Sequence, residues 1–194
     1  YDVLSPQEDI VSERLETLYR MTSGTKGLDV VIASAVTAAQ RMAPVAYVGA
    51  NTFFFRPGDT LSVEGLRSNL AAAGYAGVKQ VLAAGEFAVR GSIIDVFPMG
   101  SDRPFRLDLF DDEIESIRWF DVETQRSMEA VNEIRLLPGH EFPVTPEAVT
   151  GFRQRWRTRF AGDPGKSLVY RDIGNGVLPP GIEYYLPLFF EQTA

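Results

Sequence analysis

Apolar and polar residues alternate along Gly85 to Pro98, "GEFAVRGSIIDVFP", with Phe87 and Val89 before Arg90-Gly91 and with Ile94 and Val96 after it. A period of two marks a half-buried strand, and a glycine between two such runs supplies the positive φ of a tight turn, so the stretch predicts a hairpin. The alternation resumes in Phe105 to Phe110, "FRLDLF", and in Glu113 to Phe120, with Asp111-Asp112 between them as a turn. Within "FRLDLF" it puts Phe105, Leu107 and Leu109 on one face and Arg106, Asp108 and Phe110 on the other. Further strands are predicted at Phe53 to Phe55, before a Pro57-Gly58 turn, and at Val78 to Leu82. A helix is expected from Ser62 to about Ala73, ended by Gly74. Turns at hairpin spacing make this middle part an antiparallel sheet with a helix.

On either side the period becomes helical. "SPQE", Ser5 to Glu8, places Ser at a cap, Pro at the first helical position and Glu three after the cap, ahead of Ile10, Val11, Leu15 and Leu18. That predicts a helix to about Met21, followed by a loop from Thr22 to Gly27, a buried-type strand from Leu28 to Ala33 and a short helix capped by Ser34. The order helix, strand, helix implies an α/β layer, with Ala43 to Thr52 as a connector. A third part begins near Leu136-Leu137-Pro138. Its clearest element is a helix opened by Thr145-Pro146-Glu147 and running through "FRQRWRTRF" to about Phe160.

The chain has 194 residues, 45% hydrophobic and 23% charged, enough for one large or two small cores. It has no cysteine, which excludes disulfides and thiolate chemistry and fits a reducing compartment. No run approaches the roughly 18 apolar residues of a membrane span, and no basic-then-apolar leader opens the chain, so a cytoplasmic protein with no membrane partner is expected. A net charge of −7 and a pI near 4.8 argue against an extended nucleic-acid surface. The opening at Tyr1 without methionine and the ending at Gln192-Thr193-Ala194 lead us to expect a fragment of a longer chain.

Candidate chemistry is sparse. "GDPGKS", Gly162 to Ser167, has two residues between its glycines where a phosphate-binding loop needs four, and predicts a solvated loop. Asp111, Asp112 and Glu113 could be drawn around magnesium as a small hydrolase, but no phosphate loop precedes them and a turn explains them. His140 is the only histidine, and no Gly-x-Ser-x-Gly elbow selects a nucleophile. No catalytic, cofactor-binding or metal site is therefore predicted. What remains is a surface: Arg106 and Phe110 on the polar face, with Arg90 at the tip or edge of the preceding hairpin. Arginine and aromatic side chains dominate interface energies. The competing reading buries Phe110 beneath a helix and pairs the arginines with Asp108 or Glu113 in solvent. Arg153, Arg155, Arg157 and Arg159 spread around their helix, which predicts a solvated surface.

Three stretches, "SPQEDIVSERLETLYRM", "GEFAVRGSIIDVFPMGSDRPFRLDLFDDEIESIRWFDVETQRS" and "LPPGIEYYLPLFF", closely resemble bacterial transcription-repair coupling factors (Mfd), in their N-terminal module similar to the excinuclease component UvrB. The resemblance covers nearly the whole chain. It implies parts of a degenerate helicase-like α/β domain flanking a small antiparallel-sheet-plus-helix domain, so α/β and α+β together: 1–51 in domain 1A, 52–136 as domain 2, and 137–194 in domain 1B. In the family, domain 2 recruits the excinuclease component UvrA, and its contacts carry over onto Arg90, Arg106 and Phe110. ATP and magnesium, RNA polymerase and DNA belong to later domains of the family, whose C-terminal domain masks the UvrA surface. The F-x-V-R-G … D-x-F-P portion is shared with UvrB, a protein that binds ATP and damaged DNA, which is the alternative membership.

Overall fold

The computed structural model describes residues 5–23 and 30–192. In chain order, helix α1 (Glu8–Thr22), the single turn α2 (Ala35–Ala38) and α3 (Val45–Ala50) precede strand β1 (Phe53–Phe55) and helix α4 (Val63–Ala72). There follow β2 (Ala76–Gly77), β3 (Glu86–Arg90), β4 (Ile93–Val96), β5 (Phe105–Phe110), β6 (Glu113–Phe120), β7 (Ser127–Ala130) and β8 (Ile134–Leu136). Helices α5 (Pro146–Arg159) and α6 (Leu168–Gly174) come last, with 3₁₀ stretches at Pro164–Lys166 and Ile182–Leu188. The mixture of helices with a mainly antiparallel sheet agrees with the predicted class.

Strands β2 to β7 form one sheet in sequence order, antiparallel throughout except for the parallel β2–β3 contact. Arg90 pairs with Ile93, leaving Gly91-Ser92 as a two-residue turn with Gly91 at φ +62°. Phe110 pairs with Glu113 around Asp111-Asp112, where Asp111 takes φ +52°, a conformation that aspartate tolerates better than most residues. The register slips between Asp108 and Leu109, which leaves Glu115 without an opposite residue. The bulge lets Ile114 and Ile117, three positions apart, both lie fully buried on the same side.

That side packs Phe87, Ile94, Val96, Leu107, Leu109, Ile114 and Ile117 against Leu66 and Leu70 of α4, Ala73 just past its end, and Leu15 of α1. Ser62 caps α4, its Oγ accepting from Gly65 N. A second cluster joins Phe142, Phe152, Trp156, Tyr170, Ile173, Ile182, Leu188 and Phe189. Helix α1 touches both regions. Ser12 Oγ accepts from Gly100 N at 2.7 Å, Glu16 pairs with Arg135, and Arg14 Nε lies 2.7 Å from Glu141 Oε1.

Several expectations need correction. Ser5 does not cap α1, which starts after Gln7; its hydroxyl donates to Glu183 and accepts from Gly181 N, tying the helix entry to the C-terminal part. Thr22 still belongs to α1, while 24–27 of the predicted loop, and Leu28 and Asp29 of the predicted strand, lie outside the described residues. Val30 to Ala33 form no strand, and Val30, Val31 and Ile32 are exposed. The expected connector contains α3. Val78 to Leu82 is not a strand: the two-residue β2 ends before it at Gly77, only Val78 N still donates to Phe87 O among the described backbone groups there, and Val81 is buried in a loop. Arg90 ends β3 and is not part of the turn. "GDPGKS" is mostly exposed, as a solvated loop should be, and within it a 3₁₀ turn is capped by Asp163 while Ser167 caps α6. Strands β7 and β8 stand where the pattern predicts no strand.

Candidate functional site

The second face of the sheet carries the alternate residues of the same strands, and its centre is charged. Pairing sets Asp95 between Ala88 and Arg106, and Arg106 in turn faces Arg118. Asp95 is 1% exposed. A carboxylate this deep needs compensating donors. Arg106 provides a fork, with Nε 2.7 Å from Oδ1 and Nη2 3.0 Å from Oδ2. Arg90 Nη2 also donates to Oδ2. The Arg106 Nη1 group donates to Gln125 O and Ser127 Oγ, both at 3.2 Å, and its guanidinium lies 4.9 Å over the ring of Phe120. Hydrogen bonding to Asp95 holds Arg106 further above its ordinary pKa, against the opposing effect of burial.

The three residues singled out by alternation thus share a face but differ in access. The Arg90 side chain is 49% exposed and that of Arg106 only 14%, while Phe110 is 71% exposed. Phe110 is not beneath a helix, and the arginines pair with Asp95, not with Asp108 or Glu113; Asp108 instead accepts from Ser116 Oγ at 3.0 Å. Arg90 and Phe110 both stand at the end where the β3–β4 and β5–β6 turns close, with Leu109 N bonded to Ser92 O. At the opposite end the same face is covered, with Phe120, Val81 and Ala88 buried together and Phe97 and Val78 packed beside them.

Chemistry elsewhere is structural. His140 stacks on Phe142, and burial lowers its pKa; the ring also fills the space beside Gly74. Burial raises the pKa of Glu141, an effect that Arg14 opposes. Of the α5 arginines, Arg157 and Arg159 are exposed as expected, while Arg153 and Arg155 are half-buried: Arg153 lies over Tyr170, as does Arg157, and Arg155 Nη1 donates to Leu188 O. Asp111 and Asp112 occupy their turn, Asp112 O accepting from Leu61 N. Among the described residues, no three His, Cys, Asp or Glu side chains are placed to hold a metal ion, and no helix is long and apolar enough to cross a membrane.

An exposed aromatic and a half-exposed, pre-paired cation on one sheet face are of the residue types that dominate protein interfaces, a rigid apolar anchor and a planar set of donors. The UvrB interaction domain family matches residues 53–142, which span β1 to β8 and contain Arg90, Asp95, Arg106 and Phe110. The transcription-repair-coupling factor of Escherichia coli (strain K12) is 45% identical over 192 residues, 99% of this chain and 17% of that protein. That of Haemophilus influenzae is 45% identical over 197 residues, 100% of this chain and 17% of the relative. The Rickettsia bellii factor is 30% identical, with 99% of this chain and 17% of the relative covered. The chain therefore spans about one sixth of the length of these curated relatives.

Proposed function

Because this chain belongs to the transcription-repair-coupling factor family and carries a UvrB interaction domain, we propose that it is a non-catalytic adaptor segment that recruits UvrA in transcription-coupled nucleotide excision repair. The recruiting unit is 52–136, between a 1–51 portion of domain 1A and a 137–194 portion of domain 1B. The observation that carries the reading is the open end of the sheet's charged face, where Phe110 is exposed and Arg90 half-exposed on the same face within the matched domain. Matches to coupling factors along nearly the whole chain favour this membership over a segment of UvrB. RNA polymerase and DNA binding, and ATP hydrolysis with magnesium, are assigned to the remaining length of the full protein. Its C-terminal domain would mask the recruiting face until UvrA is needed, and the whole would act in the bacterial cytoplasm.

Calorimetric titration of UvrA with the chain tests the reading. Micromolar or tighter binding is expected, weakened about tenfold or more by Arg90→Glu and by Phe110→Ala, because truncating an interface anchor leaves its counterpart unmatched. Absence of binding by the unaltered chain, or full binding by both variants, would overturn it.

A further inference from the structure

We propose that Asp95 is the positioning residue of the docking face: it holds Arg90 in place for the incoming protein, while Arg106, engaged in gripping Asp95, makes no contact with that protein. This rests on the docking reading above and divides the labour within it.

The division follows from how the donors are used. Both Asp95 oxygens are occupied, Oδ1 by Arg106 Nε and Oδ2 by Arg106 Nη2 together with Arg90 Nη2. Arg106 commits its remaining nitrogen to the 125–127 turn and one face of its guanidinium to Phe120. Little of it is left for a newcomer. Arg90 uses one nitrogen on Asp95 and leaves about half its side chain in solvent. A free arginine would lose rotamer freedom on docking; fixed by a buried carboxylate, Arg90 has lost part of it at folding, before any encounter. Two guanidinium groups around one carboxylate leave this cluster net positive, and its accessible donors are those of Arg90. The matching surface therefore offers a carboxylate to Arg90 and an apolar recess to Phe110.

A double-mutant cycle in UvrA affinity decides this. Asp95→Asn keeps the shape but replaces one accepting oxygen with an amide donor. We expect Asp95→Asn and Arg90→Gln each to weaken binding about fivefold or more, and the double variant to bind within about twofold of Arg90→Gln alone. If Asp95→Asn does not melt cooperatively above the assay temperature, Arg106→Lys, which keeps charge but not the fork, takes its place in the cycle with the same expectation. An equal loss in both Arg90 backgrounds would overturn the proposal, as would an effect under about twofold for Asp95→Asn or Arg106→Lys. If the unaltered chain fails to bind UvrA, the docking reading itself falls; if it binds and the cycle is additive, only the positioning role does.

Discussion

Phe110 and Phe120 lie on the same face of one sheet, ten residues apart, yet Phe120 is 0% exposed and Phe110 71%. The difference lies in what chain remains to cover each end. Beside Phe120 the strands run into long connections, and Val81 and the Gln125 turn fold back over the ring, with Gln125 Nε2 reaching Val81 O at 3.4 Å. Beside Phe110 the strands close through the two-residue turns Gly91-Ser92 and Asp111-Asp112, which have no residues to spare for a lid. Turn length thus decides which aromatic becomes core and which stays available. The two arginines follow the same division, Arg106 towards the covered end and Arg90 at the open one.

Substitutions can break or sharpen this contrast. The largest loss is expected for Phe120→Ala, about 3 to 5 kcal/mol in denaturant unfolding, as for any fully buried phenylalanine. A loss below about 1 kcal/mol would mean that the covered end is not a core. Arg106→Ala should cost about 3 kcal/mol, the lower end for breaking a buried pair, because Arg90 stays to compensate Asp95. Thermal melts that left this variant unchanged would place Arg106 with Arg90 as a surface charge. Gly91→Ala should cost about 1 to 2 kcal/mol from its φ of +62° alone, since an added Cβ meets nothing within 4 Å. Phe110→Ala should change stability by no more than about 0.5 kcal/mol. A melt lowered as far as that of Phe120→Ala would return Phe110 to the core and abolish the contrast.

Strands β3 to β6 are legible because a period of two survives in the sequence wherever one face is buried. The same rule fails at Val78 to Leu82, where Val78 and Val81 serve a loop that packs over the sheet, Leu82 is exposed, and only Val78 N still bonds to β3. Strand β2, two residues long, is too short to carry any pattern. The glutamate bulge in β6 is also invisible, since nothing in an unbroken run tells which residue lacks an opposite. At the site, alternation finds Arg90, Arg106 and Phe110 but passes over Asp95, whose place on the polar face suggests solvent. Only the register between β4 and β5 brings it against Arg106. The connection between those strands, 97–104, is too long for the register to be counted from a turn. The opposite charges of Arg90 and Asp95 across a short hairpin are the available hint.

Helix α1 gives the molecule a stiffness that neither cluster of buried side chains would have alone. It acts as a splint: Leu15, Ser12 and Glu16 fasten it to the sheet side, and Arg14 and the Ser5 hydroxyl fasten it to Glu141, Gly181 and Glu183. A bend between the two sides would have to shear these fastenings in concert, so torque applied to one side is passed to the other. The heading of Phe110 is thereby set against the C-terminal helices as well as against its own sheet. A protein seated on that ring would acquire a fixed bearing relative to everything those helices are attached to.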